Sequence, residues 1–151
     1  TLEETDSQQI PLQKELEHID QYLGIEQVRF GERLTIKKDF DSASLSTPVP
    51  SMLLQPIVEN AMQHGLGEKE GTGLLSLTTL LESNRVVIKI EDDGNGCNFE
   101  SKTFKEGIGI RNVRDRLRQT YSDDFTFVLE SNTLGGVTVT LNLPAKLNTE
   151  S

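Results

Sequence analysis

The sequence predicts an α+β fold: a two-layer α/β sandwich whose mixed, mostly antiparallel sheet is covered on one face by helices. Three observations predict it. Two pairs of short alternating segments, within residues 74–90 and 125–143, are each joined by a short turn, and such hairpins demand antiparallel strands. Three helical segments each carry one apolar stripe, so each packs on something with one face. No helix separates the strands of either pair, as a doubly wound parallel sheet would require.

Residues 1–10 carry no apolar periodicity. Pro11 suits the first turn of a helix. Leu12, Leu16, Ile19, Leu23 and, at the far end, Val28 recur at steps of three to five, so a helix runs from Pro11 to about Phe30. Leu34 to Phe40 alternates as a strand. SASLSTPVP, rich in Ser and Pro, is a loop. A second helix runs from Ser51 to about Leu66, and 67–73 is a turn. Leu74 to Leu81 and Val86 to Ile90 are strands joined at ESNR. Residues 97–106 form a polar loop. Ile110, Val113, Leu117 and Tyr121 mark a third helix. Phe125 to Glu130 and Val137 to Leu143 are the last strands, with Gly135-Gly136 in their turn.

The balance of 15 Lys+Arg against 24 Asp+Glu gives a net charge of -9 in 151 residues. So acidic a chain lacks the basic footprint of non-specific nucleic-acid binding. A phosphate ligand stays open, because backbone N–H groups can hold one. The single Cys97 excludes a disulfide framework and a cysteine zinc site, and fits a reducing compartment. No apolar run is long enough to span a membrane. The chain starts at Thr1 in a polar segment and reads as a piece of a longer protein.

Three clusters carry chemistry. In LLQPIVENAMQHG, a helical wheel of ~100° per residue puts Leu54, Val58, Ala61 and Met62 on one apolar arc. Leu53, Pro56, Gln63 and His64 fall near Asn60 instead, so this face lines a polar pocket or is simply solvated. Asp92-Asp93-Gly94-Asn95-Gly96 ends a strand. It is either a ligand turn, with a carboxylate set to accept from a ligand N–H, or an ordinary Asp/Gly turn; its continuation, CNFESK, lacks a calcium loop's carboxylate spacing. Gly107-Ile108-Gly109-Ile110-Arg111-Asn112 opens the third helix, where free N–H groups favour an anion. It does not follow a strand in a βαβ unit, so a Rossmann reading fails. Four of the seven arginines, 111, 114, 116 and 118, lie on this helix; they are a solvated face, or Arg111 and Arg114 meet phosphates or a partner carboxylate.

The order of the clusters is more specific than any one of them. A helix bearing Asn, then DxGxG ending a strand, then a loop, then GxGxxN opening a helix resembles the Bergerat-type ATP-binding fold of histidine kinases, gyrase, Hsp90 and MutL. PSMLLQPIVENAMQHGL, GIGIRNVRDRL and RFGERL resemble the LytS/YehU-type sensor histidine kinases, from about Leu12 to Pro144.

The resemblance implies ATP and Mg²⁺ as ligands. It makes Asn60 the catalytic residue and metal ligand. Asp92, not Asp93, would bind the adenine amino group. Gly94 and Gly96 would close around the base, Gly107, Gly109 and Ile110 would sit by the phosphates, and Asn112 would orient that segment. His64 joins the nucleotide-binding set, 97–106 would be a lid, and Gly135 and Gly136 would lie near the base. Two positions depart from the pattern. Gln63 stands where relatives often have Lys, with His64 or Arg111 to compensate. Pro56 stands where the ATPases carry a water-activating Glu, and the neighbouring Glu59 is expected to face elsewhere.

The implied layout is the tail of a dimerisation helix over 1–32, an ATP-binding catalytic domain over 33–147 and a flexible tail over 148–151. His18 lacks the context of a phosphoacceptor. The implied reaction is γ-phosphoryl transfer to a histidine outside the chain. The implied partners are the dimerisation/phosphoacceptor domain, a response regulator of LytTR type and a second copy of the parent, with no nucleic acid. The piece would be cytoplasmic and its parent a membrane sensor. The alternatives are a degenerate nucleotide-sensing or docking module and, against the missing Glu, a hydrolase.

Overall fold

In the computed structural model, which describes residues 8–66, 71–94 and 107–145 (the side chains of 64 and 65 excepted), the predicted helices and hairpins form in the predicted order. The elements are β1 (Gln9–Pro11), α1 (Leu12–Phe30), β2 (Leu34–Phe40), β3 (Pro48–Pro50), α2 (Gln55–Asn60), β4 (Gly73–Glu82), β5 (Arg85–Asp92), α3 (Ile108–Tyr121), β6 (Thr126–Ser131) and β7 (Val137–Pro144). Five strands form one sheet in the order β2-β4-β5-β7-β6. Only β2 and β4 run parallel. They can do so because the segment carrying α2 forms the long crossover that parallel strands need.

Strand alternation decides which face the helices cover. Leu75 and Leu77 of β4, Val86, Ile88 and Ile90 of β5, and Val139, Leu141 and Leu143 of β7 are all buried. The register sets Ile90 between Leu77 and Val139, and Ile88 between Thr79 and Leu141. Lys89 and Leu80 on the other face are exposed. Leu12, Leu16, Ile19 and Leu23 of α1 join the same core, as do Ile57 and Val58 of α2 and Ile110, Val113 and Leu117 of α3. No helix among the described residues is long and apolar enough to cross a membrane.

Two expectations need correction. Residues 9 and 10, which carry no apolar periodicity, Pro11, read as the first turn of a helix, and 48–50, read as a loop, pair antiparallel as a second small sheet, Ile10 opposite Val49. Three-residue strands punctuated by proline have no period to read. The helix expected from Ser51 begins only at Gln55. Residues 51–54 are a turn, with Met52 at a φ of 62°, and Ala61–Leu66 continue as a π-helix. A π step turns the chain less per residue than ~100°, so the wheel loses phase beyond Asn60. Leu53, placed by that wheel on the polar face, is off the helix and fully buried.

Tyr121 ends α3 with its hydroxyl buried and unpartnered among the described residues. Burial pushes the phenol up from 10.0 to about 12. An orphaned buried polar group is destabilising, so Tyr121→Phe should raise the unfolding free energy in urea by ~1 kcal/mol. The unfolded phenol ionises from pH 10.0, whereas the folded one keeps its proton to about 12. The wild type therefore loses stability as pH rises through that window, and the Phe variant should lose less.

Candidate functional site

Asp92 is the last residue of β5, and strand alternation aims it into the helix-covered face beside Ile90. It is 5% exposed, an acid where the pattern calls for an apolar residue. Such a group is costly to bury unless bonded. Its Oδ1 accepts the N–H of Gly94 at 2.9 Å, and its carbonyl accepts Asn132 Nδ2 at 2.9 Å. Asp93 is employed differently. Its Oδ1 accepts the Leu74 N–H at 2.8 Å, and its own N–H donates to the Leu74 carbonyl at 3.2 Å, closing the end of the β4–β5 pair.

The turn between β6 and β7 braces Asp92. Asn132 Oδ1 accepts the N–H groups of Leu134 and Gly136 at 2.9 and 3.0 Å. Its Nδ2 also reaches Thr138 Oγ1, which donates to Glu91 Oε1; both contacts are 3.2 Å. Gly136 has no room for a side chain: a Cβ there would stand 2.5 Å from Asp92 Oδ1 and closer still to the Asp92 carbonyl oxygen. The glycine pair was legible in the sequence; Asn132 and Thr138 were not. The available signal is an asparagine shortly before Gly-Gly, the mark of an Asx turn.

The other two clusters meet across α2 and α3, which pack together. A Cβ on Gly109 would lie 3.7 Å from Cβ of Pro56. No side chain caps α3 at Gly107, whose extended backbone leads into the helix. The first N–H groups of α3 are therefore left for an anion. Gly107, Gly109 and Asn112 are exposed, and Ile110 is buried as the anchor of this end. Arg111 is the one arginine of α3 without a partner among the described residues. Arg114 stacks on the Phe127 ring at 4.7 Å and donates to its carbonyl at 3.2 Å, Arg116 donates to the Ser51 carbonyl, and Arg118 pairs with Asp115.

Asn60 ends α2, half-buried. Gln63 is exposed and lines a cavity of about 400 Å³ against α1, with Tyr22, Arg33 and Met62 among the other walls. Glu59 accepts Gln55 Nε2 at 3.0 Å. It also faces Tyr22, whose phenol is pushed up to about 12 by burial, Glu26 and Glu59. The His64 side chain, Gly96 and residues 97–106 lie outside the described residues. What is described combines a buried acceptor for an N–H-bearing ligand, a bare helix start suited to an anion, and a neutral amide oxygen at the end of α2, which packs on the helix that start opens.

Comparison with known proteins gives the family and the fold. Residues 1–34 match the histidine kinase family, and residues 49–147 match the histidine kinase-, DNA gyrase B- and HSP90-like ATPases. Sensor histidine kinase YpdA of Escherichia coli is 36% identical over 129 residues, covering 81% of this chain and 23% of its own. Sensor protein LytS of Oceanobacillus iheyensis is 33% identical over 142 residues, covering 85% and 24%. The chain thus spans about a quarter of each of these relatives. The histidine kinase domain of a blue-light activated kinase from Erythrobacter litoralis EL346 shares the fold. Its TM-score is 0.68 at 21% identity, over 90% of this chain and 62% of that one. With its model matched over residues 49–147, about two thirds of the sequence, the chain belongs to the histidine kinase-, DNA gyrase B- and HSP90-like ATPases.

Proposed function

We propose that the chain is the ATP-binding catalytic part of a sensor histidine kinase. The observation that carries this is Asp92, buried at a strand end with the backbone of Gly136 pressed against it. This is a floor on which a flat base can lie while its amino group donates to the carboxylate. Gly94, and Gly96 by resemblance, border the same floor. The start of α3 at Gly107, Gly109 and Ile110 offers N–H groups to phosphates, with Asn112 orienting that segment. The amide oxygen of Asn60 suits Mg²⁺, which takes one or two protein ligands and keeps several waters. His64 completes the set by resemblance.

When bound, ATP supplies the γ-phosphoryl group and Mg²⁺ neutralises charge on its phosphates. The chain's own residues hold and orient the nucleotide. Glu59 is turned to Gln55 and Tyr22, and Pro56 has no acid to offer, so activation of water is poor and hydrolysis slow. The acceptor is a histidine other than His18 and His64, on a dimerisation domain of which residues 1–32 are the tail and 33–147 the catalytic domain. The parent is proposed as a homodimeric membrane sensor serving a response regulator of LytTR type, with this part in the cytoplasm.

Incubation with γ-labelled ATP should leave the chain unlabelled. Adding a parent fragment that bears the upstream histidine should give acid-labile label on that fragment. Asn60→Ala should lower the rate at least ~100-fold, as loss of charge stabilisation in the transition state does. Robust label at His18 would contradict the division of roles. Tight ATP binding with no transfer to any acceptor would favour the degenerate module instead, a reading that the loss of a Lys at Gln63 supports.

A further inference from the structure

Helix α2, which carries Asn60, has no cap of its own. Its N-cap residue is Leu54, and no side chain from its own segment bonds there. The helix, six α-helical residues continued by a π-helix, leaves N–H groups at its open end that need an acceptor. The acceptor comes from α1. Glu15 Oε1 accepts the Leu54 N–H at 2.8 Å, and Glu15 Oε2 accepts the Met52 N–H at 3.2 Å. Glu15 is 1% exposed. Met52 sits at a φ of 62°, a conformation that a methionine holds only where its surroundings impose it. From the other side Arg116 of α3 donates to the Ser51 carbonyl. The turn 51–54 is thus pinned by α1 and α3 together, and α2 issues from it.

We propose that Glu15 is a positioning residue for Asn60. Its two oxygens match two N–H groups of the turn, and that match fixes where α2 starts and therefore where, less than two turns later, Asn60 is placed. The bond also crosses a boundary. Glu15 lies in the segment that matches the histidine kinase family, and Met52 and Leu54 lie in the segment that matches the ATPase family. The seating of α1 is therefore felt at the metal-binding end of the nucleotide site. Gln at position 15 keeps one acceptor and turns an NH₂ donor toward the second N–H; Ala leaves both N–H groups buried and unpaired.

The inference rests on the reading of Asn60 as the Mg²⁺ ligand, so the test includes that residue. ATP affinity of the 151-residue chain is measured by calorimetry with Mg²⁺ and with EDTA, for wild type, Glu15→Gln, Arg116→Ala and Asn60→Ala, at a temperature where circular dichroism shows each folded. Asn60→Ala should abolish the Mg²⁺-dependent gain. Glu15→Gln should weaken binding about tenfold with Mg²⁺, the scale of one lost bond to a charged group, and less than about twofold in EDTA. Arg116→Ala, which frees the same turn from α3, should show the same Mg²⁺-confined loss at smaller size, and it keeps the test alive if Glu15→Gln does not fold. A merely structural cap would not confine its effect to the Mg²⁺ arm. If Asn60→Ala leaves the Mg²⁺ gain intact, the reading beneath the inference fails. If Asn60→Ala loses it while Glu15→Gln and Arg116→Ala bind as wild type, or lose equally in both arms, the positioning role itself is overturned.

Discussion

Gly136→Ala should cost ~3 kcal/mol or more of stability and remove most nucleotide binding, the upper end of what overpacking does. The new Cβ would press on the Asp92 carbonyl oxygen, carbonyl carbon and Oδ1 at once. Two of these are backbone atoms at the end of a central strand, so no flexible side chain can swing aside. If the β6–β7 turn backs away, the Asn132 bond to the Asp92 carbonyl goes with it. Gly135→Ala is the matched control. Gly135 has a φ of 91° but nothing within 4 Å of a Cβ, so that variant should lose only ~1 kcal/mol from backbone strain and keep the site. Urea denaturation and ATP calorimetry on both variants check this. A Gly136→Ala chain as stable and as tight-binding as the wild type would mean that the close approach to Asp92 does not exist.

Asp92→Asn should lose ~1–3 kcal/mol of ATP affinity, roughly ten- to a hundredfold, while the fold survives. The asparagine oxygen can still accept the Gly94 N–H, so the local turn is kept. The other oxygen becomes an NH₂ donor, which meets the donor N–H of the base. Asp93→Ala should behave in the opposite way, leaving affinity nearly intact and loosening the end of the β4–β5 pair, because it removes the oxygen that accepts the Leu74 N–H. Affinity unchanged by Asp92→Asn would take the adenine assignment away from this residue.

What was legible in the sequence is what long periods write there. Leu12, Leu16, Ile19 and Leu23, spaced along one stripe, are all buried in the core. So are Ile110, Val113, Leu117 and Tyr121. The hairpins announced themselves by alternation, and Asp92 was singled out by the DxGxG order that the resemblance supplies. What failed was local wording with no period. The Ile10–Val49 pairing spans three residues on each side and is written only in the contact of two distant segments. A wheel of fixed angle misplaced Leu53 because residues 51–54 form a turn and not helix, and the π-helix after Asn60 has no composition of its own. Nothing near Leu54 says that its cap lies on another helix, because Glu15 looks like any acid on an amphipathic face until the chain folds. Arg116 reads as solvated, and Arg114 as solvated or as a contact for phosphates or a partner carboxylate, yet both are spent on carbonyl groups of neighbouring elements.

The proposed function puts the nucleotide between Asp92, the β6–β7 turn and the start of α3, and not in the cavity beside Tyr22 and Arg33. Hydrogen exchange of the chain with and without ADP and Mg²⁺ tests it most directly. Bound nucleotide should slow exchange at Asp92–Gly94, at 132–138 and at 107–111, with little change at 22–33. Protection confined to 22–33 and 62–63, with Asp92 and Gly136 exchanging as in the empty chain, would contradict it.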